Sequence, residues 1–226
     1  KMMRALFIKK KHYAYMEYDE NGDIIREKQT KREKELGIVP KYQLNSKGIL
    51  IARRDHCKWI GDFFERVIRD RFDGKTPLEI VENIFDEIKK LYHMGIKEIT
   101  ENLSIVKGMG SDYKSQTNAL CIFSNIMKEL KKPVNPGERF PYVIVNDHQN
   151  RDKVGYKMRT NEMFEEQWGY AKEKYGIEYG EKIPEDFECP EDLYPPEEID
   201  IIRYINNVMM NPIDNLFFFF FKEDLT

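Results

Sequence analysis

The spacing of apolar residues changes at Trp59, and that change most constrains the fold of this 226-residue chain. Before it, residues 5–8 and 13–18 alternate between apolar and polar as half-buried strands do. "DENGD" at 19–23 is a turn signal and "IIREK" at 24–28 returns, which predicts a β-hairpin. Residues 29–47 are polar, rich in lysine and interrupted by Gly37 and Pro40, so a loop is expected there. "KGILIARRD" at 47–55 reads as a further strand. From Trp59 onward, Ile60, Phe63, Phe64, Val67, Ile68 and Phe72 fall on one face of a helix.

The rest of the chain continues mainly helical. Thr76, Pro77 and Glu79 form the start of a second helix, with Thr76 as cap and Glu79 at the capping-box position. Ile80, Ile84, Ile88 and Leu91 carry that helix to an end near Gly95. "LSIVK" at 103–107 is a short strand that runs into the loop "GMGSDYK". A helix over 117–131 follows, stopped by Pro133. "RFPYVIV" at 139–145 is a buried strand with "GYKM" as its partner, and Thr160 caps a helix closed by Gly176. The segment 183–196 holds Pro184, Pro190, Pro195 and Pro196, as an ordered loop or strap would. Helices are expected over 197–210 and from Ile213 into the phenylalanines. The class is α+β: a β-hairpin-rich first quarter, then a helical body with a small sheet insertion.

Charge is unevenly distributed. Residues 1–58 carry 15 Lys and Arg against 8 Asp and Glu, whereas residues 160–226 carry 5 against 17. The net charge of -3 therefore hides a basic end suited to a polyanion. No segment reaches the roughly 20 apolar residues that span a bilayer. The three cysteines stand far apart, as reduced thiols of an intracellular protein do.

Known catalytic sets are missing from the sequence. It has no Asp-x-Asp pair, nucleophile elbow, H-E-x-x-H or Walker loop, and the four histidines share no ligand spacing. Neither catalytic nor metal-binding residues are expected. Cations are better represented. Lys9, Lys11, Tyr13 and Tyr15 would share one face of a continuous strand, with Lys10, His12 and Ala14 on the other. Arg53 and Arg54 end the strand at 47–55. Lys107 and Lys114 bracket the glycine loop, and Lys114 leads into a helix N-terminus suited to phosphate. Lysines on a strand edge also discourage aggregation, but the whole series favours a nucleic-acid backbone.

Five stretches then carry a resemblance: "KKHYA" (10–14), "KGILIARRDHC" (47–57), "LSIVKGMGSDYKSQTNA" (103–119), "GERFPYVIV" (137–145) and "IDIIRYINNVMMNPIDNLF" (199–217). In this order they resemble the end of the palm and the thumb of B-family DNA polymerases, closest in look to those of large DNA viruses and the eukaryotic delta type. The resemblance implies palm over 1–58 and thumb over 59–226. It implies that Lys10, Lys11 and Tyr13 contact the primer–template, with His12 where the family has Arg. Arg53 joins them, while Arg54 and Asp55 form a structural pair at the palm–thumb junction. Lys107 remains from a Thr-Lys-Ser turn that here reads Val106-Lys107-Gly108.

The same resemblance implies a DNA-directed DNA polymerase acting on primer–template DNA and an incoming dNTP, in the nucleus or at a viral replication site in the cytoplasm. Its Mg²⁺ ions would be bound by aspartates upstream of Lys1, so the chain is expected to be a piece of a longer protein, inactive alone. The alternative is a non-catalytic DNA-binding or polymerase accessory module. "NPIDNLFFFFF" at 211–221 faintly resembles a sliding-clamp peptide, and a buried terminal helix explains it more simply.

Overall fold

The computed structural model describes residues 2–49, 56–113, 115–210 and 213. They form an α+β fold with two three-stranded antiparallel sheets. The chain packs as two compact units. The first comprises Lys1–Arg53, Gly61–Ile84 and Pro212–Thr226; the second comprises Arg54–Ile60 and Phe85–Asn211.

The sheet of the first unit has the order β1 (Met2–Lys9), β2 (His12–Glu17), β3 (Leu44–Lys47). Ala5 pairs with Tyr15, Leu6 with Ala14 and Phe7 with Tyr13. On the other side, Tyr13 pairs with Lys47 and Tyr15 with Asn45. Because side chains alternate across a strand, Leu6, Ala14 and Leu44 point to one face. There Ala14 packs with Ile49 and with Ile68 of α2 (Lys58–Phe72), and Leu6, Ile8, Leu44 and Phe72 close the cluster.

The hairpin turns at Lys10–Lys11, which corrects the expected continuous strand through the lysines. "DENGD" does turn: the Asp19 carboxylate accepts from the Asn21 and Asp23 amides at 2.9 and 2.8 Å. The chain beyond it returns only through single bridges, Tyr18 to Ile24 and Arg26 to Tyr42. The expected loop over 29–47 contains α1 (Lys31–Glu35), started by a Thr30–Glu33 capping box. Arg69 of α2 holds this excursion by donating to the Tyr42 carbonyl at 2.7 Å and to Glu27 at 2.9 Å. Helix α3 (Pro77–Leu91) starts as predicted, with the Thr76 amide and hydroxyl donating to Glu79 at 2.7 and 2.8 Å.

In the second unit, Gly95 caps a further helix, α4 (Ile96–Asn102), instead of ending α3. The sheet runs β4 (Ile105–Gly108), β5 (Arg139–Ile144), β6 (Met158–Thr160). Helix α5 (Ala119–Glu129) starts where the Asn118 side chain accepts from the Leu120 amide at 2.9 Å. Helix α6 (Asn161–Tyr175) runs from the Thr160 cap to Gly176, whose φ of 71° is the left-handed helix stop. The proline-rich segment is an ordered strap. Gln167 donates to the Tyr194 and Pro195 carbonyls, and the Trp168 indole donates to the Glu197 carbonyl at 3.2 Å. After the strap come α7 (Ile201–Arg203) and a π-helical stretch over 204–210. Tyr204 is fully buried there, donating to the Leu103 carbonyl at 2.9 Å and accepting from the Ile144 amide at 3.1 Å.

Candidate nucleic-acid interface

Of the cations that the sequence singles out, the described ones fall in both units: Lys10 and Lys11 in the first, Lys107 in the second. In the first unit the turn between β1 and β2 is a projection of exposed Lys10 and Lys11. Lys11 has φ 65°, a left-handed conformation that lysine adopts only when its surroundings enforce it. Two contacts enforce it. The His12 ring N–H at Nδ1 donates to the Lys10 carbonyl at 3.2 Å across the turn. Gly48, at the end of β3, lies so close that a Cβ there would sit 2.1 Å from the Lys11 carbonyl oxygen. Gly48 is itself left-handed, with φ 70°. Glycine is needed here for both conformation and space.

Tyr13 follows the turn on β2, half-buried between Phe7 and Lys47. Its ring centroid lies 6.1 Å from that of Phe7 and 6.1 Å from that of Tyr15. The Tyr15 phenol is pushed up by desolvation and then by Glu17, whose carboxylate it meets. An exposed cation pair beside an aromatic row with one further lysine can bind a phosphate backbone and pack against sugar or base.

In the second unit Lys107 stands exposed on β4 opposite Phe140. Next to it, Gly108 pairs with Arg139, which is also exposed. The glycine loop is tied to the sheet by the Met109 amide donating to the Glu138 carbonyl and the Gly137 amide donating to the Met109 carbonyl, both at 2.8 Å. Lys107 and Arg139 therefore stand at the same strand end but on opposite faces of the sheet. Lys47 is not visible in the sequence as a site residue, because only register brings it beside Tyr13. Arg53, Arg54, Asp55 and Lys114 lie outside the described residues, as does the 211–221 stretch apart from Ile213.

Among the described residues one group of three metal-ligand-type side chains comes together: Asp147, His148 and Glu197. Its carboxylates are already committed. Arg151 donates to both Asp147 oxygens, at 2.9 and 2.6 Å. Arg159, with no exposed surface, lies 2.6 Å from Glu197 and 3.9 Å from Asp147. Burial pushes the Arg159 guanidinium down from its usual range, and the Glu197 and Asp147 charges oppose that. Burial pushes Asp147 up, but the Arg151 hydrogen bonds outweigh it and hold the carboxyl below its ordinary value. Two guanidinium groups in the cluster exclude a divalent cation, so this is a structural ion network that does not fit catalytic metals. Among the described residues no helix is long and apolar enough to cross a membrane.

Comparison with known proteins finds the following relatives. Over 118 residues, 49% of this chain, it is 28% identical to "DNA polymerase 037L" of Invertebrate iridescent virus 6, and covers 8% of that protein. The family B DNA polymerase of the archaeon Pyrobaculum calidifontis superposes on 93% of this chain and 21% of its own, with TM-score 0.48 and 15% identity. The chain thus spans a small part of each of these longer relatives. The family model "DNA polymerase family B" matches residues 2–217, nearly the whole sequence, and the chain belongs to that family.

Proposed function

We propose that this chain is the palm-end and thumb part of a DNA-directed DNA polymerase and grips primer–template DNA by its backbone. Residues 1–58 are the closing part of the palm and 59–226 the thumb. The observation that carries the reading is the exposed Lys10–Lys11 turn, held left-handed against Gly48 in a chain of this family. A sequence-blind grip needs cations fixed in position without base-reading side chains, and this turn supplies them.

In this reading Lys10, Lys11, Tyr13, Arg53, Lys107 and Lys114 touch the primer–template, and Arg54 with Asp55 braces the palm–thumb junction. The substrates of the polymerase are primer–template DNA and a dNTP, at an intracellular site of DNA replication. Metal ions, Mg²⁺ in this reading, supply the electrophilic chemistry of nucleotidyl transfer. The described residues of this chain do not hold them. What the chain contributes is position, since a misplacement of about 1 Å at a reacting end lowers the rate by orders of magnitude.

Duplex binding by the 226-residue chain tests the proposal. Affinity should be the same for duplexes of unrelated sequence and should fall with salt, by about 0.9 log unit per log unit of salt for each phosphate neutralised. Binding that is flat in salt, or that depends strongly on sequence, contradicts it.

A further inference from the structure

The outer face of the first sheet is aromatic. Register places Phe7, Tyr13 and Lys47 in one row across the three strands, with Tyr15 next to Tyr13 along β2. The opposite face is the one that packs on Ile49, Ile68 and Phe72. Cross-strand aromatic pairs support a hairpin, but pairing alone leaves Phe7 unexplained, because its side chain is 61% exposed. Phenylalanine has no polar group to place in water. An exposed ring beside the half-buried Tyr13, which in turn meets Tyr15, with exposed lysines at hand, is a surface with a π-face and cations side by side.

From this juxtaposition we infer that the Phe7–Tyr13 face is a stacking platform for unpaired bases of a single nucleic-acid strand, with Lys10, Lys11 and Lys47 taking its phosphates. The choice of occupant rests on complementarity of charge and shape. Lys10 and Lys11 stand at the turn beside the Phe7–Tyr13 pair, and Lys47 closes the row from the other side. Glu17 lies toward the far end, against the Tyr15 hydroxyl, and bounds the cationic part of the face. A duplex hides the faces of its bases, whereas a single strand offers them, and every base has one. Such a platform is therefore blind to sequence, as the backbone grip is. The inference shares its lysines with the proposed duplex grip and adds a second ligand state to the same turn.

The test compares a labelled oligothymidylate with an abasic oligomer of the same length and charge, bound to the 226-residue chain at one salt concentration. The oligothymidylate should bind about tenfold tighter, since each stacked base contributes about that factor or more. Phe7→Ala should remove most of the preference, and Tyr13→Phe, which keeps the ring, should retain it. Phe7→Trp guards against a folding artefact: it should keep the preference, and its indole emission should be quenched by the oligothymidylate and not by the abasic strand.

Equal affinity for the two oligomers overturns the inference. So does an unquenched indole, or self-association of the chain that Phe7→Ala abolishes, which would make a second copy the occupant. Duplex affinity measured in parallel separates this from the grip. Salt-dependent duplex binding without a base preference leaves the grip standing and removes the platform. A base preference without duplex binding does the reverse.

Discussion

Gly48 and Lys11 meet through their backbones, and neither conformation is explained without the other. Both residues are left-handed, at φ 70° and 65°, and a methyl group on Gly48 would stand 2.1 Å from the Lys11 carbonyl oxygen. The contact joins two stretches that are 37 positions apart, the lysine cluster and the "KG" that precedes the arginines. It fixes the direction in which the lysines project.

Exchanging either partner should separate stability from binding. Gly48→Ala should destabilise the chain by about 1–3 kcal/mol, from backbone strain and overpacking, and weaken duplex binding by displacing the turn. Lys11→Gly relieves the left-handed strain, so stability should stay level or rise by about 1 kcal/mol while duplex affinity falls. Denaturant melts and anisotropy titrations on both variants check this. A loss of affinity in Gly48→Ala with the turn unmoved would break the link.

The second unit makes its own prediction. Lys107→Ala should lower the salt slope of duplex binding by about 0.9, equally for all duplex sequences. Arg139→Ala, on the opposite face of the sheet, should leave the slope unchanged. Titrations at several salt concentrations decide it.

Tyr204 carries a prediction about stability alone. Its hydroxyl serves the Leu103 carbonyl and the Ile144 amide, both out of water. Tyr204→Phe leaves those groups unsatisfied and should destabilise the second unit by about 1–3 kcal/mol. Hydrogen exchange at the Ile144 amide should accelerate, with DNA binding unchanged.

Acid should act through Asp147. Its folded pKa lies below the ordinary carboxylate value of about 3.9, so the stabilisation is fully present above that pH. It is lost as pH falls through the lowered folded value, when the carboxyl is protonated and releases Arg151. Asp147→Asn should flatten the acid limb of the stability curve. Glu197→Gln should destabilise by about 3–5 kcal/mol at neutral pH, because Arg159 would remain buried without its nearest counter-charge. Thermal melts across pH report both.

Much of the fold is legible in the sequence because its signals are local. The Thr76–Pro77–Glu79 start of α3, the Thr160 and Gly176 limits of α6 and the buried β5 are set by capping and periodicity within a few residues. The Lys10–Lys11 turn is hidden for the opposite reason. "DENGD" carries the usual turn residues, whereas Lys10–Lys11 turns against Gly48, far along the chain, which has no side chain to fill the space. The candidate site divides in the same way. Lys10, Lys11 and Lys107 are visible as charge in a motif, while Lys47 and the exposure of Phe7 follow from strand register. The Arg159–Glu197–Asp147 network was illegible because its members come from three separate segments.

The most direct test of the grip is the salt dependence of duplex binding for the parent chain and for Lys10→Ala/Lys11→Ala. Each lysine that neutralises a phosphate contributes about 0.9 to the slope of log affinity against log salt. The double variant should therefore lose about 1.8 from the slope, with its melting temperature preserved because both side chains are exposed. An unchanged slope in a folded variant would contradict the proposal that this turn holds the DNA backbone.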